Sequence, residues 1–270
     1  MHAPMSSREV AASFPVESVR RCEALALLSH AVLLGSWGAL AAGVLAPGWF
    51  VLIGLCAFVR NFNALHQHMH APGSRSPFGL HLLMNIVASP LQIGNIEAGS
   101  NHRQHHAYPK APGQDPDAFL NSGPWWRGLV NAATQPEQAL VRWVRRRGWS
   151  PRLRVTLAWN VAVLGGMFLV GGPRAMAWWL LLTRVGHVAA WFIFDWVLHH
   201  DAVWGSFQAA FMPPVLPQIW RLLFGRENLD AVRHHTLHHV YPFVRDRDLA
   251  GLSRLIADKA REAKDGLEAA

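Results

Sequence analysis

Cysteine is scarce: Cys22 and Cys56 are the only two in 270 residues. Both lie in apolar stretches, and two are too few for a disulfide framework or a thiolate cluster. A metal in this protein would therefore rely on nitrogen or oxygen ligands. Charge is sparse as well, with 16% Asp, Glu, Lys and Arg against 51% apolar residues, a balance that leans toward a membrane protein. The start MHAPMSSREVAASF lacks the basic region, short apolar core and small-residue cleavage site of a secretory signal, so the N-terminus is expected to stay in the folded protein. Basic residues form no stripe interleaved with aromatics, so the net charge of +8 reads as topology and attraction to anionic lipid heads, with no nucleic-acid partner. No linker long enough to separate domains interrupts the chain, so 1–270 is expected to be a single domain.

What is abundant is apolar length. Residues 23–45 are long enough to cross about 30 Å of hydrocarbon. After the turn Ala46-Pro47-Gly48 a second apolar stretch, 49–65, returns through Arg60, Asn61 and Asn63 and ends in HQHMH. Residues 154–170 and 175–199 form a second pair, broken by Gly171, Gly172 and Pro173. The stretches 80–94 and 207–225 are interrupted by proline and are expected to lie at the membrane interface. The tail 248–267 has apolar residues at helical spacing and is expected to be a helix packed on the cap. Thirteen tryptophans suit a chain that meets the boundary of hydrocarbon and water.

Charge orients these spans. Of the 25 Lys and Arg, 23 lie before the first span, within 60–154 or after 200, leaving Arg174 in a turn and Arg184 inside the fourth span. Basic residues stay cytoplasmic. The expected fold is an all-α integral membrane protein of four transmembrane helices in two hairpins, with a cytoplasmic helical cap from 66–153 and 200–270. Both termini would face the cytoplasm, from the cell inner membrane.

Sixteen histidines occur, and twelve gather at 66–70, 102–106, 199–200 and 234–239. By this topology all four clusters reach the cytoplasmic face. His66 and His70, at i and i+4, share one face of a helix, while His68 points elsewhere. His102, His105 and His106 follow H-x-x-H-H, placing i, i+3 and i+4 together, and His235, His238 and His239 repeat the pattern. His234 falls outside that face. The fourth span adds a polar line, Arg184, His187, Trp191, Asp195 and His199, in which the roles of Arg184 and His187 stay open. So many imidazoles crowded at one end of a bundle exceed what a single four-coordinate zinc uses, and a two-metal site accounts for the number. H-E-x-x-H is absent, and so are the paired Glu-x-x-His motifs of soluble carboxylate di-iron bundles.

Taken together, H-x-x-x-H, then H-x-x-H-H about thirty residues on, then HTLHHVYP resemble the membrane fatty acid desaturase and hydroxylase superfamily, which includes acyl desaturases, alkane hydroxylases and carotenoid hydroxylases or ketolases. The similarity runs from about Asn63 to Leu255. It implies two iron ions at the cytoplasmic ends of the spans, held by His66 and His70, by His102, His105 and His106, and by His235, His238 and His239. The family's Asn and His on the last spanning helix fall on Asp195 and His199. Asp for Asn is a departure, consistent with more direct contact to an ion or its water, or with a shifted redox balance. In GQDPDAF, Asp115 and Asp117 either orient ligand imidazoles from behind or serve a turn before a proline-containing loop.

The resemblance further implies O2 as co-substrate, a long-chain acyl lipid as substrate and a bilayer around the spans. HPGG is absent, so no cytochrome domain is expected within the chain and electrons would come from a separate ferredoxin- or cytochrome-type donor. The expected activity is that of an acyl-lipid desaturase. The rivals are an oxygenase of the same superfamily, either a hydroxylase or a carotenoid ketolase, and a non-catalytic metal-binding membrane protein such as a transporter or sensor.

Overall fold

The structure, a computed structural model, describes residues 5–71, 76–109, 111, 113–196 and 215–268. Among them no strand occurs, and three helices are long and apolar enough to cross a membrane. After a short α1 (Ser7–Ser13), the first of these is α2 (Val19–Ala41), started by Ser18, whose side chain accepts from the Arg21 N–H and so satisfies one of the donors a helix start leaves unpaired. The second is α3 (Pro47–His70), with proline at its first position, where the missing N–H costs nothing. α3 runs without a break through the apolar stretch into HQHMH. The first histidine motif therefore sits on the end of a spanning rod.

The third, α8 (Pro151–Trp191), continues as a π-helical turn over Phe192–Trp196, 46 residues in all. It joins the segment 154–170 to the described part, 175–196, of the segment 175–199 that the sequence separates from it. Inside it Gly172 has φ 68° and ψ −179°, a left-handed φ that glycine adopts without the penalty a Cβ brings, and Pro173 follows. α8 is thus two helical legs across a kink. Leu153 on the first leg packs with Ile93, Gly171 and Ala175 at the kink lie against Trp37, and Trp191 on the second leg packs with Phe119 and Leu120. The Trp37 indole N–H donates to the Ala175 carbonyl, tying the kink to α2.

The main core joins α2, α3 and both legs of α8 through Leu33, Trp37, Phe50, Phe58, Leu164, Met167, Trp179 and Leu182. On the outside Leu28, Leu52, Val155, Val161 and Phe168 are exposed, as expected of helices whose outer faces meet lipid. Close approach depends on small residues: a Cβ at Gly186 would lie 2.6 Å from ring atoms of Phe58. Gly186→Val is therefore expected to lower stability by about 1–3 kcal/mol, the usual range for overpacking, read as a fall in the thermal midpoint of the detergent-purified protein. An unchanged midpoint would mean that α3 and α8 do not meet there.

The smaller helices form the end that carries the histidines. They are α4 (Phe78–Met84), α5 (Asn95–Ala107), α6 (Trp125–Ala133), α7 (Gln135–Arg147), α9 (Val215–Phe224), α10 (Arg226–Arg233), α11 (His235–Val240) and α12 (Leu249–Glu268). The tail is helical over nearly the stretch its spacing indicates. The segment 80–94, expected at the membrane interface, is buried in part inside the protein. Ile86, Val87 and Ala88 are buried; the Trp179 indole donates to the Val87 carbonyl, and the Asn160 amide donates to the Gln92 carbonyl. Side chains of α8 supply the partners that this non-helical backbone needs, which is what makes its burial affordable. Of 207–225, only 215 onward is described, as α9.

Candidate metal centre

Three helix ends carry the histidines to one place. The end of α3 brings His66 and His70, α5 brings His102, His105 and His106, and α11 brings His235, His238 and His239. His66, His70, His102, His106 and His238 each offer a ring nitrogen, and these nitrogens all lie within 4.8 Å of one another. His102 is the hub: its Nε2 is 2.8 Å from His70 Nε2 and 3.0 Å from His106 Nε2. A second group, His105 with Asp115 and Asp117, also meets within 4.8 Å. His239 joins the two, its ring stacked 4.2 Å from His106 and 5.2 Å from His105, and its Nε2 is 2.9 Å from that of His235.

The chemistry of this set fits a metal. One nitrogen of an imidazole can donate or accept once, yet His102 Nε2 faces two others of its kind. His66 Nδ1, His106 Nδ1 and His238 Nε2 are buried without a hydrogen-bond partner. Buried polar atoms are normally paired, and so many orphaned lone pairs around one point are what a cation satisfies.

Burial also holds the rings in the neutral form a metal needs. His102, His106 and His238 lie well below their ordinary 6.5, first through desolvation and then through neighbouring imidazoles. Each ring thus resists protonation when folded, whereas the unfolded chain takes up protons near 6.5. Protonation favours unfolding, so the metal-free protein is expected to lose stability as pH falls below about 6.5 and to change little above it. Thermal midpoints from pH 5 to 8 check this, and a midpoint rising on acidification would contradict it. His105 opposes the trend. Burial pulls it down, but its hydrogen bond to Asp115 and the charges of Asp117 and Asp195 hold it above the ordinary value.

The two aspartates of GQDPDAF have distinct places. Asp115 is buried, and both of its oxygens lie 3.0 Å from His105 Nδ1, behind the ring. Its Oδ1 also accepts from the Asp117 N–H, so the turn and the orienting contact coexist. Asp117 lines the cavity and is pushed up to about 6 by burial, with Asp195 and Asp115 adding to the effect. Asp195, in the π-helical turn, accepts from Asn121 Nδ2 at 2.6 Å and lines the same cavity. His199 lies outside the described residues.

Other histidines stand apart. His68 points away toward Ser76 and Glu23, with Nε2 3.0 Å from Ser76 Oγ, and His234 lies outside the group as its register implies.

Sequence reasoning missed one partner. Asp246, 1% exposed, accepts from Gln67 Nε2 at 2.7 Å, and its other oxygen faces His238 Nδ1 at 3.5 Å. Gln67 stands between His66 and His68 in the first motif. The available signal was a glutamine at a position the helix buries.

A cavity opens beside the histidines, with His66, His102, His105 and His235 at its wall and Phe62, Leu65, Met69, Ile93, Trp191 and Phe194 among its apolar lining. Comparison with known proteins gives one family: the model described as fatty acid desaturase matches residues 41–267. No curated protein and no solved structure shows significant similarity to the chain.

Proposed function

Because the chain belongs to the fatty acid desaturase family, we propose that it is a membrane di-iron oxidoreductase that places a double bond in a long acyl chain. The carrying observation is the convergence of five ring nitrogens within 4.8 Å from stretches as far apart as His66 and His238. His66, His70, His102, His106 and His238 would hold one ion. His105, His235 and His239 would contribute to the other, with Asp195 and His199 completing the set the family pattern implies, and Asp115 and Asp117 orienting it. When bound, such ions supply the activation of O2 that no side chain can perform on an unactivated C–H bond.

The chain's own residues then have three tasks. The imidazoles of His102, His106 and His238 stay neutral, so lone pairs are available to an ion. Asp115 fixes the ring of His105 by accepting from its Nδ1–H. The apolar lining keeps water from the reacting carbon and positions the chain beside the histidines. In balance, two electrons leave the substrate with two hydrogens and two come from a separate ferredoxin- or cytochrome-type protein. With two protons from solvent, one O2 becomes two waters.

The bilayer arrangement is part of the same proposal. Two hairpins, α2 with α3 and the two legs of α8, make four crossings of the inner membrane, and one domain carries its metal site and termini on the cytoplasmic side. The kink at Gly172 and the position of the histidines at helix ends support it. A transporter would hold its ligands near the midplane.

Expression in a host of known lipid composition, under labelled O2, tests the reaction. New unsaturated chains without label support desaturation. Label in a hydroxylated or ketolated product would assign oxygenation instead, and an unchanged lipid profile with no iron in the purified protein would overturn both.

A further inference from the structure

Many of the arginines are matched by a carboxylate. Arg21 pairs with Glu17 and Glu227, Arg152 with Glu97, Arg184 with Glu137, Arg226 with Asp230 and Arg245 with Asp248. Arg103 and the run Arg145, Arg146 and Arg147 are exposed, and none of these four forms an ion pair among the described residues. They belong to one place. Arg103, on α5, donates to the Met69 carbonyl near the end of α3. Arg147 reaches the next residue of α5, its Nη2 donating to Gln104 Oε1 at 3.5 Å, and Arg145 and Arg146 share with it the last turn of α7.

Helical spacing turns His102, His105 and His106 to one side of α5 and Arg103, Gln104 and Ala107 to the other. The inner side joins the two groups of candidate ligands, while Arg103 and Ala107 are exposed on the outer side. A body seated on that outer side is separated from the ligands by a single helix, about 10 Å across. Four guanidinium groups with no acid among them set up a positive potential there, which draws an anionic surface. Lipid headgroups and an acidic protein both offer one. The outer side of α5 holds none of the large apolar side chains that an interfacial helix sinks into the acyl boundary, so the protein fits better. Arg154 and Trp149, exposed where α8 begins, suit the headgroups instead.

We propose that the outer side of α5, with Arg103 and Arg145 to Arg147, is the docking face for an acidic electron-carrier protein. This rests on the reading of the chain as an oxidoreductase fed by a separate donor, and adds where that donor sits. Complexes of electron carriers are small and short-lived, so their encounter is governed by charge more than by apolar area.

Binding needs neither iron nor turnover, so it tests the face apart from the reaction. The full-length protein in an uncharged detergent is titrated with an acidic ferredoxin of the plant type. Affinity is expected to fall about tenfold or more as salt rises from about 50 to about 300 mM, because exposed charges are screened. Arg103→Glu with Arg147→Glu should lower the low-salt affinity by about tenfold or more. Arg20→Glu with Arg254→Glu, which makes the same change in net charge on α2 and α12, should leave it within about threefold. If the first pair does not fold, Arg103→Gln with Arg147→Gln decides, with an expected loss of about threefold or more.

The face is overturned if ferredoxin binding is absent or insensitive to salt, or if both pairs of reversals weaken it equally. It is also overturned if the substitutions on α5 and α7 leave ferredoxin affinity unchanged and instead strip phosphatidylglycerol from the purified protein, which would give these arginines to lipid. Lipid oxidation in cells without such binding removes the face and keeps the reaction. Charge-dependent binding by a protein that makes no oxidised lipid keeps the face and removes the reaction.

Discussion

The His102→Ala protein is expected to lose its product, by more than about 100-fold, and to purify with little of its metal. His102 touches more of the cluster than a single ligand needs to: Nε2 lies within 3.0 Å of both His70 and His106, and its ring is 4.5 Å from that of His66. Removing it takes away one donor and also the ring that separates two others. The loss should exceed the 10–100-fold that follows when only a partner behind a ligand is removed. Metal analysis of the purified protein, alongside lipid profiling, reads both effects. Full metal content with product abolished would make His102 a positioning group in the cavity and dismantle the proposed ligand set.

Asp246→Ala is expected to weaken metal binding by about 10–100-fold while leaving all the proposed histidine ligands in place. The carboxylate is tied to the first motif by Gln67 and faces the third through His238, residues 179 and 8 positions away in sequence. With Nδ1–H directed at Asp246, the opposite nitrogen of His238 presents its lone pair to the cluster. Alanine removes that direction and strands the Gln67 amide as well.

In the metal-free pocket burial pushes Asp246 up to about 8, with Glu227, Glu17 and Asp230 adding to the rise against the pull of Gln67. A nearby cation favours the carboxylate, so metal loading at neutral pH should release a proton from this site, and that release should be missing in Asp246→Ala. Calorimetric titration in two buffers of different ionisation enthalpy measures it. Equal metal affinity and equal proton release in the wild-type and variant proteins would show that Asp246 does not act on His238.

The histidine motifs were legible because helical spacing is local: i, i+3 and i+4 share a face wherever a helix forms. The three long apolar helices were legible for a similar reason, since length and apolar content need no tertiary information. The pairing of Gln67 with Asp246 was not, because no periodic pattern links residues so far apart. Nor was the burial of 85–89 and 92–94, where proline suggested an interfacial segment and only the indole of Trp179 and the amide of Asn160 show how that backbone is satisfied. His187 and Trp191 stood out on the fourth span, but a polar line within a bundle looks the same whether it pairs with another helix, as Arg184 does, or faces a cavity.

α3 bears on where along its substrate the enzyme works. Phe50, packed in the core near the helix start, and His66 belong to one uninterrupted rod, so their separation along the axis is set at about 24 Å by a rise of 1.5 Å per residue. The protein therefore carries its own depth gauge. Inserting one residue near Leu55 would lift the first two imidazoles by about 1.5 Å and swing them by about 100°, turning them away from α5. In the proposed reaction, the height of the reacting carbon above the bundle floor would be set by that rod.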